Sequence, residues 1–530
     1  MIKQILIALI LYSSASAKIY SVDELRDIPK SYIKDYYIYK LLQKGVSKSE
    51  AKELLGEVKR LSPKIYKEFV PYIDKFKRKA YCQSLKPSQL LGRFGDCVKL
   101  GLSLYRATTI DPKLLYKISD EIKREDPELS IEYQVISKKS FDYLIKLPPK
   151  TLLKTFNLVG DSYRKRYFDK PFSKKLLNKL VKYPAFNKTV EKIVRRDLKT
   201  LQKSLLDINS STLNFESNFL LGLNAIKHNR FKNALKYFII AKDKAKYNSQ
   251  KDKALFWQYL LTHDSSLLNE LKNSHEINIY TLFAYEKLGE FPTNIRYKID
   301  PKTDSTPFDI KKPFEWIKFK EFIKKSKFES KAKRREYLLR YNTPWSEPHI
   351  ARLLYNYHDN IHYYLTPYSW YLNGVSTKRK ILIYSLARQE SNFVPTEVSR
   401  SYALGMMQFM PFLAKKIAKE LNITNFKEEM LFDPKIAYRF ANIHLDYLEK
   451  NLKHPLLIAY AYNGGIGFTK REILQKEFFK TNSFDPFYSM EMIPNAQARE
   501  YGKRVLANYI IYSKLFKKDL LVSDLLEKIR

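Results

Sequence analysis

From Pro184 to Pro292 no proline interrupts the chain. Proline lacks a backbone N–H and clashes with the preceding turn, so a stretch this long without it has room for many uninterrupted helical turns. Glycine is scarce as well, at 14 of 530 residues, and tight turns between short strands have few places to form. With 45% hydrophobic and 29% charged residues, the composition specifies a large all-α protein with a sizeable core, spread over about three or four domains.

Inside the proline-free run, Phe231, Ala234, Leu235, Phe238 and Ala241 recur at helical spacing. An earlier apolar segment, Leu220 to Ile226, is joined to it by His228-Asn-Arg230, which predicts an αα-hairpin, and another helix follows through Ala254 and Trp257. The spacing resembles the helix pairs of tetratricopeptide-type solenoids, which stack into a curved arc. Residues 18–297 are therefore expected to form an α-superhelical domain, closing around an opening beside the domain that follows. Between Phe291 and Pro348 lie six of the 23 prolines, and Lys318 to Arg340 reads as a further amphipathic helix rich in Lys and Arg. Residues 298–363 are thus expected to be a helical linker domain and 364–530 a compact helical domain.

The formal net charge of +40 points to a polyanionic partner: nucleic acid, an anionic membrane surface or an acidic polymer. The first residues choose among them. Lys3 precedes an apolar run from Ile5 to Tyr12, and Ala15-Ser16-Ala17 supplies a small-x-small cleavage pattern, so residues 1–17 read as a secretory signal peptide. The run is far short of the ~20 residues that span a bilayer, and there is no other candidate transmembrane segment. An exported protein does not ordinarily meet nucleic acid, which leaves envelope polymers and membrane surfaces, with the cell wall foremost. The only two cysteines, Cys82 and Cys97, are expected to pair in an oxidising compartment, two buried thiols being the alternative.

The stretch Ala387-Arg-Gln-Glu-Ser-Asn-Phe393, followed by Ser399 and Ala403-Leu-Gly-Met-Met-Gln-Phe-Met-Pro411, sets one acid among apolar and uncharged polar residues. Ile381, Ile383, Tyr384 and Ala387 recur at helical spacing, so Glu390 falls near a helix end, before the loop marked by Pro395. Met406, Met407, Phe409 and Met410 are placed to desolvate its carboxyl and raise its pKa, while Ser399 and Gln408 are placed to orient it. Upstream, His358 and His362 stand at i and i+4, a zinc-binding spacing. No third ligand lies nearby and Asp stands where the zinc-protease pattern has Glu, so they read as surface histidines and no metal is expected.

Further on, Phe432-Asp433-Pro434 starts a helix with Asp433 as its cap. Ile436, Phe440, Ile443 and Tyr447 then mark its core face. Pro455 opens another helix, stopped at Ala461-Tyr-Asn-Gly-Gly465, whose Tyr462-Asn463 pair offers an aromatic face and an amide suited to an acetamido sugar. Glu491-Met-Ile-Pro494 and Arg499-Glu-Tyr501 lead into a last helix with Val505 and Tyr509.

In that order, E-S-x-F, G-x-M-Q-x-M-P, F-D-P, A-Y-N-x-G and I-P with a later R-x-Y, the C-terminal segment resembles the soluble lytic transglycosylase family. The resemblance implies a lysozyme-like catalytic domain after a helical superhelix, in a periplasmic enzyme of cell-wall turnover. Such an enzyme cleaves the β-1,4 bond between N-acetylmuramic acid and N-acetylglucosamine in peptidoglycan glycan strands, and leaves a 1,6-anhydro end without any cofactor. It makes Glu390 the catalytic acid, with Ser399, Gln408, Met410, Tyr462, Asn463, Gln497, Arg499 and Tyr509 on the substrate. Exo-action, a monomeric state and contacts with other cell-wall enzymes belong to the same expectation. Three positions depart from the pattern: Tyr402 stands where glycine is usual, Gly464 replaces Ala, and Gln497 stands where the family often has Glu.

The residues also speak to the chemistry. Ordinary glycoside hydrolysis uses two carboxylates, and no second one is well placed: Glu397 is expected on an exposed loop, Asp433 caps a helix and Gln497 is neutral. A single acid suffices if the sugar's own C6 hydroxyl is the nucleophile. The alternatives are a goose-type lysozyme, which delivers water instead, and a non-catalytic cell-wall-binding scaffold.

Overall fold

The computed structural model describes residues 20–93, 95–357, 360–480 and 482–529, so the expected signal peptide and His358 lie outside the described residues. The fold is all-α. Among the described residues the one sheet is a parallel pair of two-residue strands, Ile295–Arg296 with His362–Tyr363. No described helix is long and apolar enough to cross a membrane.

The proline-free run forms the expected hairpin, Phe215–Lys227 and Phe231–Asp243, followed by Asn248–Thr262. Close approach within the hairpin depends on Gly222, where an added Cβ would sit 2.5 Å from the Phe238 ring. Farther towards the N-terminus, Cys82 and Cys97 are joined with their Cα atoms 5.4 Å apart, linking the helices Asp74–Ser84 and Gly95–Gly101.

Each end of the superhelix returns to the C-terminal segment. At the first, on the Tyr32–Lys44 helix, Tyr36 Oη donates to Glu428 at 2.8 Å and Lys40 pairs with the same carboxylate at 2.9 Å. Nearby, Lys64 Nζ donates to the Ser401 carbonyl at 3.0 Å. At the other end, Glu491 is buried between Lys253 and Lys503, each 2.7 Å away, and accepts a hydrogen bond from Tyr280. Arg195 donates to the Glu491 carbonyl at 2.5 Å. The arc is thereby closed into a ring.

Tyr402 belongs to the first closure. Its φ of +65° is the left-handed region that glycine adopts freely, which is why a glycine suits the position. Here the tyrosine ring lies 5.8 Å from Tyr36 and 5.2 Å from Tyr39, and the packing offsets the backbone strain.

Four expectations change. Lys318 to Arg340 is two helices, Glu315–Lys325 and Lys331–Leu339, because Ser330 caps the second by accepting from the Lys333 N–H. His362 sits in a strand, buried, with Nε2 2.8 Å from the His275 carbonyl; it is not a surface residue. Glu397 is not on an exposed loop but half-buried and paired with Arg352 at 2.8 Å. Tyr447 leaves the core face and is 47% exposed, because the buried side of the helix runs on through Leu445 and Leu448 and Tyr447 lies off it.

Candidate active site

Three helices converge on Glu390: Thr377–Ser391, which carries it, Pro455–Gly464, and Ala496–Leu515. Asn508 of the last accepts from Arg388 Nη1 at 2.8 Å and donates to the Ser385 carbonyl at 3.1 Å. Those two bonds bolt the final turns of the Glu390 helix to the Ala496–Leu515 helix. Gly502 allows the Pro455–Gly464 helix to press in, since a Cβ there would lie 2.1 Å from the Tyr460 ring. The Glu390 helix then stops at once: Asn392 and Phe393 both have positive φ, at +50° and +64°, so the carboxyl stands at an abrupt helix end beside the following loop.

That loop folds on itself through antiparallel bridges between Val398 and Leu404 and between Leu404 and Phe409. Ser399 Oγ accepts from the Ala403 N–H at 2.9 Å. Gln408 donates to the carbonyls of Glu397 at 3.0 Å and Gly405 at 2.8 Å. Both residues thus brace the loop instead of touching Glu390, and the carbonyl oxygen is the atom that Gln408 retains for a ligand. The loop is tied to the neighbouring helices by Ser391 Oγ, which donates to the Met406 carbonyl at 2.8 Å, and by Tyr462 Oη, which donates to the Met407 carbonyl at 2.8 Å. Met410 is the half-buried residue before the Pro411–Glu420 helix.

The side chain that does touch Glu390 is Tyr501, whose Oη donates to Oε1 at 2.6 Å. Burial pushes the Glu390 carboxyl up to about 7, and the Tyr501 hydroxyl, which favours the carboxylate, holds it back from rising further. No other ionisable side chain among the described residues contributes to the shift. Burial also raises the phenols of Tyr462 and Tyr501, with the Glu390 charge adding to both. Glu390, Tyr462 and Tyr501 therefore form one electrostatic unit.

The remaining expected site residues divide. Asn463 is half-buried beside Tyr462. Gln497 is exposed in the first turn of the Ala496–Leu515 helix, one turn before Tyr501 and so on its face. Arg499 is not brought to Glu390: it is 5% exposed, donates to the Ile493 carbonyl at 2.6 Å, and faces the buried charges at the ring closure. Tyr509 lies two turns beyond Tyr501, about 12 Å along the helix, where Glu449 influences it. Asp433 is the expected cap, accepting from the Lys435 N–H, and also pairs with Lys311. Gly464 in place of Ala has a local reason, since a Cβ would sit 2.8 Å from the Phe468 ring. Tyr501 is missing from the expected set of site residues, although the R-x-Y element had already marked it in the sequence.

Residues 376–484 match the Transglycosylase SLT domain family. The soluble lytic murein transglycosylase of Salmonella typhimurium is 30% identical over 144 residues, which is 26% of this chain and 22% of that protein. Its Escherichia coli K12 counterpart is 29% identical over 137 residues, 26% of this chain and 20% of the relative. The chain thus spans only about a fifth of the length of those two relatives. Over a longer stretch, the crystal structure of the 70 kDa soluble lytic transglycosylase from Escherichia coli superposes with a TM-score of 0.50 at 14% identity, covering 94% of this chain and 83% of the other, which shows a shared fold. Glu390, its bracing loop and the Tyr462-Asn463 pair all lie within the segment that matches the Transglycosylase SLT domain family.

Proposed function

We propose that this protein is a lytic transglycosylase of peptidoglycan, acting in the periplasm on the bond between N-acetylmuramic acid and N-acetylglucosamine, from strand ends. The observation that carries the reading is a lone carboxyl, raised to about 7 by burial and hydrogen-bonded by Tyr501. Near neutral pH such a group holds a proton to give and, once ionised, is a competent base. Glu390 donates its proton to the glycosidic oxygen as the bond from C1 to that oxygen breaks. The resulting carboxylate then takes the proton of the C6 hydroxyl while O6 bonds to C1. The carboxyl ends as it began, no water is consumed, and the nucleophile is already on the sugar, where proximity favours ring closure. Tyr462, Asn463, Gln408, Ser399, Met410 and Gln497 line the sugar positions, and Arg499 and Tyr509 act on them through packing only. The divisions 18–297, 298–363 and 364–530 separate superhelix, linker and catalytic domain.

The test is mass spectrometry of fragments released from purified cell wall. The expected product is a 1,6-anhydro end. A reducing end, heavier by one water, would move the protein to the lysozyme-like reading, and release of nothing would leave the scaffold.

A further inference from the structure

The Pro434–Asn451 helix carries an aromatic stripe whose exposure rises turn by turn. Phe440 is fully buried, His444 is half-buried and Tyr447 is 47% exposed. The stripe is continuous with the candidate active site. Phe409 lies 6.2 Å from both Phe440 and Tyr462, and His444 lies 5.5 Å from Tyr462. His444 and Tyr447 are close to parallel, 6.5 Å apart at 21°. Burial pushes the His444 ring down to about 4, so at neutral pH it joins the row without adding a charge. Facing them, the Pro411–Glu420 helix presents Phe412, 71% exposed, and one turn later Lys416, whose Nζ is 5.6 Å from the centre of the Tyr447 ring.

A singly exposed aromatic needs no explanation, but one at the outer end of a packed row that starts beside the catalytic carboxyl does. The geometry points to a second sugar-binding position at Tyr447, where the apolar C–H face of a hexosamine unit in the glycan strand stacks on the ring. Lys416, whose Nζ lies over that ring, turns off it to meet a carboxylate carried by the strand. The inference rests on the glycan reading of the Glu390 site and extends it: affinity depends on sugars several units from the bond being cut. A ring with a negative face suits the C–H edge of a pyranose while the hydroxyls keep their water, and the row behind Tyr447 fixes its orientation in advance, which lowers the ordering cost of binding.

Tyr447→Ala and Tyr447→Phe test it, because so exposed a side chain is not needed for folding, a point checked by thermal unfolding. On long purified glycan strands, Tyr447→Ala is expected to raise KM about three- to tenfold, with kcat falling less than twofold. The KM advantage of long strands over a tetrasaccharide should narrow, and Tyr447→Phe should restore it. A second arm reads binding alone, comparing the affinity of long strands for Glu390→Gln and for Glu390→Gln/Tyr447→Ala. Equal affinity in that arm overturns the sugar-binding position. Wild-type protein that binds strands yet releases no fragments overturns the transglycosylase reading instead, so the two failures are distinguishable.

Discussion

Glu390 answers to two neighbours of opposite effect: the protein around it, which disfavours charge, and the Tyr501 hydroxyl 2.6 Å away, which favours it. Tyr501→Phe removes the second and leaves the first. The carboxyl then rises above about 7, so the alkaline limb of the pH–rate profile should shift to higher pH while the maximal rate falls. An unmoved limb would show that the hydrogen bond does not tune the acid. Glu390→Gln can neither give nor take the proton, and activity should drop by about 10²–10⁴-fold or more. Its effect on stability has a definite sign. The folded carboxyl titrates at about 7, above the unfolded value of ~4.3, so its contribution is fully present below ~4.3 and is lost as pH rises through about 7. Relative to wild type, the glutamine variant should therefore gain stability as pH climbs across that window and level off beyond it, as urea unfolding at several pH values would show.

At the scale of the element, the loop between the Glu390 helix and Pro411 depends on one glycine. Gly405 has φ +80°, and a Cβ on it would lie 2.2 Å from the Leu431 carbonyl oxygen, whereas Gly374, also at +80°, has open space around it. Gly405→Ala should cost about 2 kcal/mol or more, through strain plus displacement of backbone, and Gly374→Ala should cost less. Equal denaturant midpoints for the two would refute the role given to the Leu431 contact. Much of this region is legible in the sequence because its signals are local: the helix start at Asp433-Pro434, the stop at Gly465 and the periodicity before Glu390 all lie within a few residues of what they control. The misreadings have the opposite character. Lys and Arg run on across Ser330, so the charge pattern hides a cap that splits one expected helix into two. Periodicity assigned Tyr447 to the core face, whereas the buried side of that helix runs through Leu445 and Leu448. Tyr501 stands 111 positions from Glu390, and nothing near either residue announces the bond.

The whole molecule is held shut by two carboxylates. Burial alone would raise both, but Lys253 and Lys503 draw Glu491 down to about 2, and hydrogen bonds from Lys40, Lys415 and Tyr36 do the same for Glu428. Glu491→Ala leaves Lys253 and Lys503 buried with one anion fewer and should cost about 3–5 kcal/mol. For a carboxyl whose folded value lies below the unfolded ~4.3, stability is present above ~4.3 and is lost as pH falls through about 2. Acid should thus loosen the ring at both closures, seen as a growing radius of gyration in small-angle scattering as pH falls from ~4.3 to about 2. A radius constant to that pH would show that the carboxylates do not hold it. The first closure also carries a temporal consequence. Tyr36 and Glu428 are 392 positions apart, and Lys64 and Ser401 are 337 apart. Each hairpin can fold as it leaves the ribosome, yet the earliest helices wait for almost the whole of translation before their partners exist, and contacts of such separation form late. A nascent chain halted before Ser401 is an open arc with the Tyr36 and Tyr39 rings not yet covered by Tyr402, a species for chaperones to recognise however well its hairpins have formed.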